Sequence, residues 1–309
     1  MQIDRNTKVV LLKGGISDES SVSEATAESC ANALRQREIK VQEIVVGVRN
    51  LKNLASEIQN LQPDVIFNAL HGGIGENGVI QGLLETLNVP YTHSGVEASS
   101  IAMNKSISKK VFRSQSLPVI EDILFKTSDL NEEIPIQPPF VIKPNNGGSS
   151  VGVCFINSTD DIISRTKKLD SATDYLMEKY VPGRELSVSV LNNQPLTVTD
   201  IITDKWYSYE AKYSLGGSIH ELPANIPKKV FDYCMDCASA AHKSLGCRGV
   251  SRTDFRWDEE KGIEGLFILE INTQPGMTET SLLPEQARYQ GIDFSDLCME
   301  LLRDASCNK

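Results

Sequence analysis

The stretch Arg252-Thr253-Asp254-Phe255-Arg256-Trp257, the polar turn Asp258-Glu259-Glu260-Lys261-Gly262 and the run Leu266-Phe267-Ile268-Leu269-Glu270-Ile271-Asn272 read together as a β-hairpin, with glycine where the chain must turn. Strand side chains alternate faces, so Arg252 shares a face with Asp254, and Glu270 shares one with Asn272. Counting outward from the turn sets Asp254 roughly opposite Glu270. Three hard oxygen ligands and an arginine then converge on one patch of sheet. A buried carboxylate pair without a counter-charge is costly, so a cation is expected between them. Magnesium is the natural candidate, because it takes a few carboxylates and completes its shell with water and phosphate. A surface hairpin with solvated charges is the alternative these residues leave open. The run Leu266 to Ile271, broken only by Glu270, argues against it, since a solvated strand would alternate more fully.

The wider composition sets the frame for that hairpin. A chain of 309 residues is long enough for two or three units with sizeable cores. Its net charge of −10 argues against nucleic acid as a main partner, although a local basic pocket stays compatible with it. The first residues are polar and no run approaches transmembrane length, so neither a leader nor a membrane is expected. The seven cysteines are scattered, and a reducing cytoplasm fits them best. Cys234 and Cys237 lie in a helical pattern from Val230 to Leu245, with no second pair or histidine cluster at zinc spacing, and are expected as small core residues.

Upstream, apolar runs at Lys8 to Leu12, Val41 to Val46 and Asp64 to Ala69 alternate with helical patterns, which predicts a parallel sheet with helices on its faces. Ligands bind such sheets beyond the carboxyl ends of the strands. Two polar loops fall at that edge, Gly14 to Ser23 and His71 to Gly78. A helix over Ala98 to Ser114 carries Lys105. Phe140 to Pro144 reads as a strand with Lys143 near its end, followed by the turn Asn145 to Ser150, a strand over Val151 to Ile156, a helix over Ser158 to Leu169 and a strand over Tyr175 to Tyr180. Glu185 to Leu191 and Leu196 to Ile202 are expected as adjacent antiparallel strands. A long aromatic loop, Asp204 to Ile219, has the length of a functional lid. A helix over Pro227 to Leu245 precedes the hairpin, and another runs from about Ser295 to Arg303.

Gly147-Gly148-Ser149-Ser150-Val151-Gly152 has the makeup of a loop folding over phosphates, because its backbone N–H groups and hydroxyls can face an anion closely. It is not a Walker A loop, since no glycine-lysine-serine or threonine follows. Lys143 and Lys105 are candidate phosphate cations. Glu178-Lys179-Tyr180-Val181 ends a strand, where free backbone groups can hydrogen-bond an adenine, and Glu185 nearby can take ribose hydroxyls. A plain linker would read the same way.

With these segments in order, the chain resembles the ATP-grasp ligases, and within them the D-alanine–D-alanine ligases, over essentially its full length. The matching segments are Gly14 to Glu19, His71 to Gly78, Met103-Asn104-Lys105, Lys143 to Gly152, Glu178 to Glu185, Tyr209-Glu210-Ala211-Lys212-Tyr213, Ser251 to Asp254 and Glu270 to Ser281. The resemblance implies an ATP-grasp fold, mixed α/β and α+β, preceded by a parallel-sheet α/β domain. The expected units are 1–97 (first substrate), 98–181 (central, with the Gly/Ser loop) and 182–309 (metal site and lid loop).

It further implies ATP-dependent joining of two D-alanines through a D-alanyl phosphate, releasing ADP and phosphate, for peptidoglycan precursors in the cytoplasm. Adenine would lie by Glu178, Lys179, Tyr180 and Val181, and ribose by Glu185. Lys105, Lys143 and Lys212, with Ser149 and Ser150, would contact phosphates. Asp254, Glu270 and Asn272 would hold two magnesium ions, with manganese a possible substitute. The first D-alanine would sit near Glu19, with His71 also contacting substrate, and the second near Arg252, Gly276, Ser281 and Leu282. Tyr213 would close the site with Ser149 and Glu19, and Arg252 would stabilise the oxyanion. A homodimer is expected from the family. Ser21, Asn77 and Asn104 depart from its acidic pattern. A depsipeptide ligase taking D-lactate second, or another ATP-grasp carboxylate–amine ligase, is the alternative.

Overall fold

The computed structural model describes residues 1–128, 136–149, 151–167, 169–203, 217–278 and 280–307. Alternating short apolar strands and helices build the first layer: β1 Lys8–Gly14, α1 Ser20–Gln36, β2 Lys40–Val46, α2 Leu54–Leu61, β3 Val65–Asn68, the single turn α3 Gly73–Glu76, and α4 Val79–Leu87. The strands form a parallel sheet in the order β2-β1-β3. Both faces are covered, which is why its strands read as near-continuous apolar runs. Ile58 of α2 and Leu84 of α4 pack on Val10, Leu12 and Ile66 on one face. Ala27 and Leu34 of α1 pack on Val9, Leu11 and Phe67 on the other.

The sequence predicts one helix over Ala98 to Ser114, and the structure shows two, α5 Val96–Met103 and α6 Lys105–Ser114. Asn104 divides them. Its backbone is extended, and its side-chain oxygen accepts from the Ile107 amide at 3.1 Å, capping α6. A short polar side chain that caps the next helix competes with continuation of the last one. Next come β4 Asp122–Phe125, β5 Phe140–Pro144, β6 Cys154–Ile156, α7 Thr159–Thr166 and β7 Tyr175–Lys179. They give an antiparallel sheet in the order β4-β7-β5-β6. The strand β6 is shorter than the predicted Val151 to Ile156, because Gly152 takes a positive φ that ends the extended run.

The third layer holds β8 Arg184–Leu191, β9 Gln194–Ile202, β10 Ile219–Glu221, α8 Lys228–Ser244, β11 Val250–Trp257, β12 Leu266–Asn272, α9 Leu282–Tyr289 and α10 Phe294–Asp304. Its sheet is antiparallel, ordered β10-β9-β8-β11-β12. Cys234 and Cys237 of α8 are buried in its core beside Val188 and Phe255, as small apolar residues. Most of the predicted lid loop, 204–216, lies outside the described residues. The connection between β11 and β12 is longer than a tight turn, with one-turn helical segments over Glu259–Gly265 and positive φ at Gly262. Gly265 is required by proximity, because a Cβ there would stand 2.1 Å from the Asp258 carbonyl oxygen.

Leu283 of α9 and Leu297 and Leu301 of α10 share a core with β1, β3 and α1, so the last helices complete the first layer. Gln274, just after β12, ties the same layers: its side-chain oxygen accepts from Asn68 at 2.9 Å and its amide donates to the Leu70 carbonyl. These links set the carboxyl ends of β1 and β3 against the β11–β12 hairpin. Among the described residues, no helix is long and apolar enough to cross a membrane.

Candidate active site

The hairpin register pairs Asp254 with Glu270 and Arg252 with Asn272. A bulge follows, since Phe255 pairs with Ile268 and Leu269 is the extra residue. The carboxylates are balanced within the protein rather than left bare. Arg252 grips Asp254 bidentately, at 2.9 and 2.7 Å, while Ser187 Oγ donates to the same carboxylate at 2.7 Å. Lys105 Nζ lies 3.1 Å from Glu270 Oε2 and donates to the Gly147 carbonyl at 2.5 Å. Asn272 accepts from the Gln274 amide at 2.8 Å.

Two cavities meet on this patch. The larger, about 410 Å³, is lined by Glu19, His71, Ser149, Arg252, Gly276, Ser281 and Leu282. The smaller, about 100 Å³, is lined by Lys143, Glu178, Lys179, Tyr180, Val181 and Glu185. Lys105, Gly147, Gly148, Asp254 and Glu270 belong to both walls. The hairpin is therefore a partition between two chambers, each lined by residues singled out in the sequence.

In the larger chamber Glu19 stands at the amino end of α1 and accepts a hydrogen bond from Ser149 Oγ. Gly72 lets this happen, because a Cβ there would lie 2.2 Å from Glu19 Oε2. Ser149 itself has φ +52°, a left-handed conformation that aims its hydroxyl inward from the glycine-flanked loop. His71 is buried between Thr26, at 2.9 Å, and Glu76, at 3.2 Å. Ser281 heads α9, and its hydroxyl meets the Thr278 amide at 3.0 Å and the Thr278 hydroxyl at 2.7 Å. Gly276 leaves Ser281 room, since a Cβ would come within 3.0 Å of its Oγ.

In the smaller chamber, Lys143 lies 2.9 Å from Glu178 Oε2, and Lys109 pairs with the other oxygen. Burial alone would raise the Glu178 carboxyl, but the two ammonium charges outweigh it and hold the group below its ordinary range. The backbone edge offered to a base is partly taken. Tyr180 N–H donates to the Pro139 carbonyl at 3.1 Å, and Arg256 donates to the Val181 carbonyl at 3.2 Å. The cause is the packing of β5 and β11 on either side of this segment, which the local sequence does not reveal. Glu185 faces Arg256 across the register, 3.8 Å away.

Ser150, Lys212 and Tyr213 lie outside the described residues. Lys109 and Ser187 are the neighbours that sequence reasoning missed. Lys109 had a usable signal, because it follows Lys105 by four residues and so shares its helix face. Ser187 had none, since its contact with Asp254 depends on strand register.

Family models match the chain in two parts, D-ala D-ala ligase C-terminus over residues 111–303 and D-ala D-ala ligase N-terminus over residues 45–94. The chain belongs to the D-alanine–D-alanine ligase family. Among its relatives, the D-alanine–D-alanine ligase of Ruegeria sp. (strain TM1040) is 49% identical over 98% of this chain and 97% of its own length. That of Jannaschia sp. (strain CCS1) is 48% identical over 98% of each. A crystal structure of the Bacillus anthracis D-alanine–D-alanine ligase complexed with ATP is similar over 96% of this chain and 97% of that one, with TM-score 0.81 and 27% identity. A second crystal structure of a Bacillus anthracis D-alanine–D-alanine ligase is similar over the same shares of both chains, with TM-score 0.81 and 30% identity. The resemblance and the ATP-grasp fold expected from the sequence are borne out, and the chain is a ligase of this family.

Proposed function

We propose that the two chambers divide the ligation of two D-alanines between them, with ATP in the smaller and the amino acids in the larger. The observation that carries this reading is their shared wall: Lys105, Asp254 and Glu270 face both. Glu178 to Val181 and Glu185 hold the base and ribose, while Lys143 and Lys105 meet the phosphates. The first D-alanine lies by Glu19 and His71, and the second by Arg252, Gly276, Ser281 and Leu282.

Joining a carboxylate to an amine requires an activated carboxylate. Phosphoryl transfer from ATP supplies one, and its barrier is lowered mainly by positioning and charge neutralisation. Lys105 is placed to follow that charge, because it already spans the glycine loop and Glu270. Arg252 stands on the wall where the second amine attacks and is suited to stabilise the oxyanion that forms. The Glu19–Ser149 bond closes the loop over the first substrate and keeps water from the acylphosphate.

The donor set fits a divalent metal. Among the described residues no three His, Cys, Asp or Glu side chains converge as a metal site. A cation here would rest on Asp254, Glu270, the Asn272 amide oxygen and the nucleotide's phosphates, a hard-oxygen set that suits magnesium. When bound, magnesium supplies Lewis-acid neutralisation of the phosphates. The protein patch is already neutral through Arg252 and Lys105, so the charge of ATP itself calls for divalent cations, two by the family pattern. The family likeness also supports a homodimer and a cytoplasmic site of action for peptidoglycan precursor synthesis.

A coupled ADP-release assay over D- and L-amino acids tests the reading, with light scattering for the dimer. ADP release should require both magnesium and D-alanine. Release indifferent to D-alanine, or equal with L-alanine, sinks the proposal, and D-alanyl-D-lactate as the main product from mixed substrates would reassign the second subsite.

A further inference from the structure

The central sheet buries three ionised side chains in one file. Lys109, on the second turn of α6, is only 1% exposed, and its ammonium pairs with one oxygen of Glu178 and donates to the Ile120 carbonyl at 3.2 Å. Lys143 on β5 takes the other Glu178 oxygen at 2.9 Å. Glu178 is itself 2% exposed. Lys143 and Glu178 line the smaller chamber, whereas Lys109 stands behind them. One buried carboxylate needs one counter-charge to be stable, and this one has two.

We propose that Lys109 is a positioning residue for the nucleotide, keeping Glu178 paired so that Lys143 can turn from the carboxylate to the phosphates. The inference rests on the nucleotide placement proposed above. Without Lys109, each movement of Lys143 toward phosphate would strand an ionised carboxylate in the protein interior, the costliest way to break a buried pair. With Lys109 in place, Glu178 keeps a partner in both states. The two ammonium groups also repel each other, so the departure of Lys143 relieves strain at Lys109. Burial pulls the Lys109 ammonium down to about 8; Glu178 opposes that shift and Lys143 adds to it. The charged groups facing it are Glu178 on β7, Lys143 on β5 and Asp122 on β4, the last paired with Arg113.

The competing role is a structural brace, in which Lys109 only fastens α6 to the central sheet. Steady-state kinetics on the full chain separate the two, with ATP varied at saturating D-alanine and magnesium. Lys109→Met should raise the KM for ATP at least about tenfold with kcat within about threefold, the pattern of lost binding rather than lost chemistry. The double variant Lys109→Met with Glu178→Gln should recover most of that loss, because a neutral amide no longer traps Lys143. An unchanged KM in Lys109→Met, or a double variant no better than the single, overturns the proposal. Lys143→Ala is the control for the underlying reading: an unchanged KM there overturns the nucleotide placement itself. If melting shows Lys109→Met to be unfolded, the unmodified chain and Lys109→Arg carry the test. The KM for ATP should rise between pH 7 and 9 in the former, as the ammonium loses its proton, and stay flat in the latter, whose guanidinium remains charged. A flat profile in the unmodified chain overturns the proposal.

Discussion

Two charge clusters face each other across the site, and they are built differently. On the β11–β12 hairpin, Arg252 holds Asp254 two residues away on the same strand face, and Glu270 is set opposite by register. In the central sheet, Glu178 draws its two lysines from elements far apart in sequence, α6 and β5. The hairpin cluster lines both chambers, which is where the proposed function puts the metal and the phosphates. The central cluster is more deeply buried: Lys143 and Glu178 form part of the smaller chamber's wall, and Lys109 is closed off behind them. A charge pair made within a hairpin is readable from alternation alone, whereas one made between layers is not.

The sharpest way to break this comparison is to remove hairpin charge. Glu270→Gln should cut kcat at least ~100-fold while the circular dichroism spectrum stays unchanged, if metal binding contributes a few kcal/mol to the transition state. Near-normal turnover would show that the hairpin is not the metal site. The opposite face of β11 gives a second test. There His242 of α8 bonds Ser251 Oγ at 2.7 Å, and burial, with Lys243 adding to it, pulls its imidazole from 6.5 down to about 4. A folded-state value below the unfolded one means that the unfolded chain takes up the proton first, so stability is lost as pH falls from about 6.5 toward 4. Between pH 7 and 4.5 the unmodified chain should lose about 2–3 kcal/mol more than His242→Gln, read from denaturant midpoints at constant slope.

Ser187→Ala sharpens the hairpin side. It removes a hydroxyl that aims the Asp254 carboxylate, and it should weaken manganese binding, followed by electron paramagnetic resonance, about tenfold. Unaltered manganese affinity would make that hydrogen bond purely structural. Asn104→Ala should have the smallest effect, a loss of about 1 kcal/mol in stability from the α6 cap, and Asn104→Asp should restore it. Failure of the aspartate to restore stability would show that the loss does not come from the hydrogen bonds that Asn104 Oδ1 accepts, from the Ile107 amide and from Asn145 Nδ2, both at 3.1 Å.

Legibility in the sequence followed the range of the interactions. The parallel first layer, the antiparallel β8–β9 pair and the rough pairing of Asp254 with Glu270 followed from local periodicity, whereas the bulge at Leu269 and the helical connection did not. Helix α9 was not read, because Pro284 interrupts its pattern. The proline sits in the first turn, where its missing N–H costs nothing. Strands β4 and β10 are too short to carry a period. The division of α5 from α6 turns on one capping side chain, and the partners of Tyr180 N–H and Val181 carbonyl on neighbouring strands.

The sequence by itself therefore determined the family, the order of layers and most of the residues lining the site, because each is carried by a short motif or a local period. Tertiary structure alone decided that the two chambers share the Asp254–Glu270 wall, that α10 finishes the first layer, and that Glu178 is held by two lysines. Those outcomes depend on desolvation and on contacts between distant segments. A buried charge can choose its partners only after the layers have closed around it.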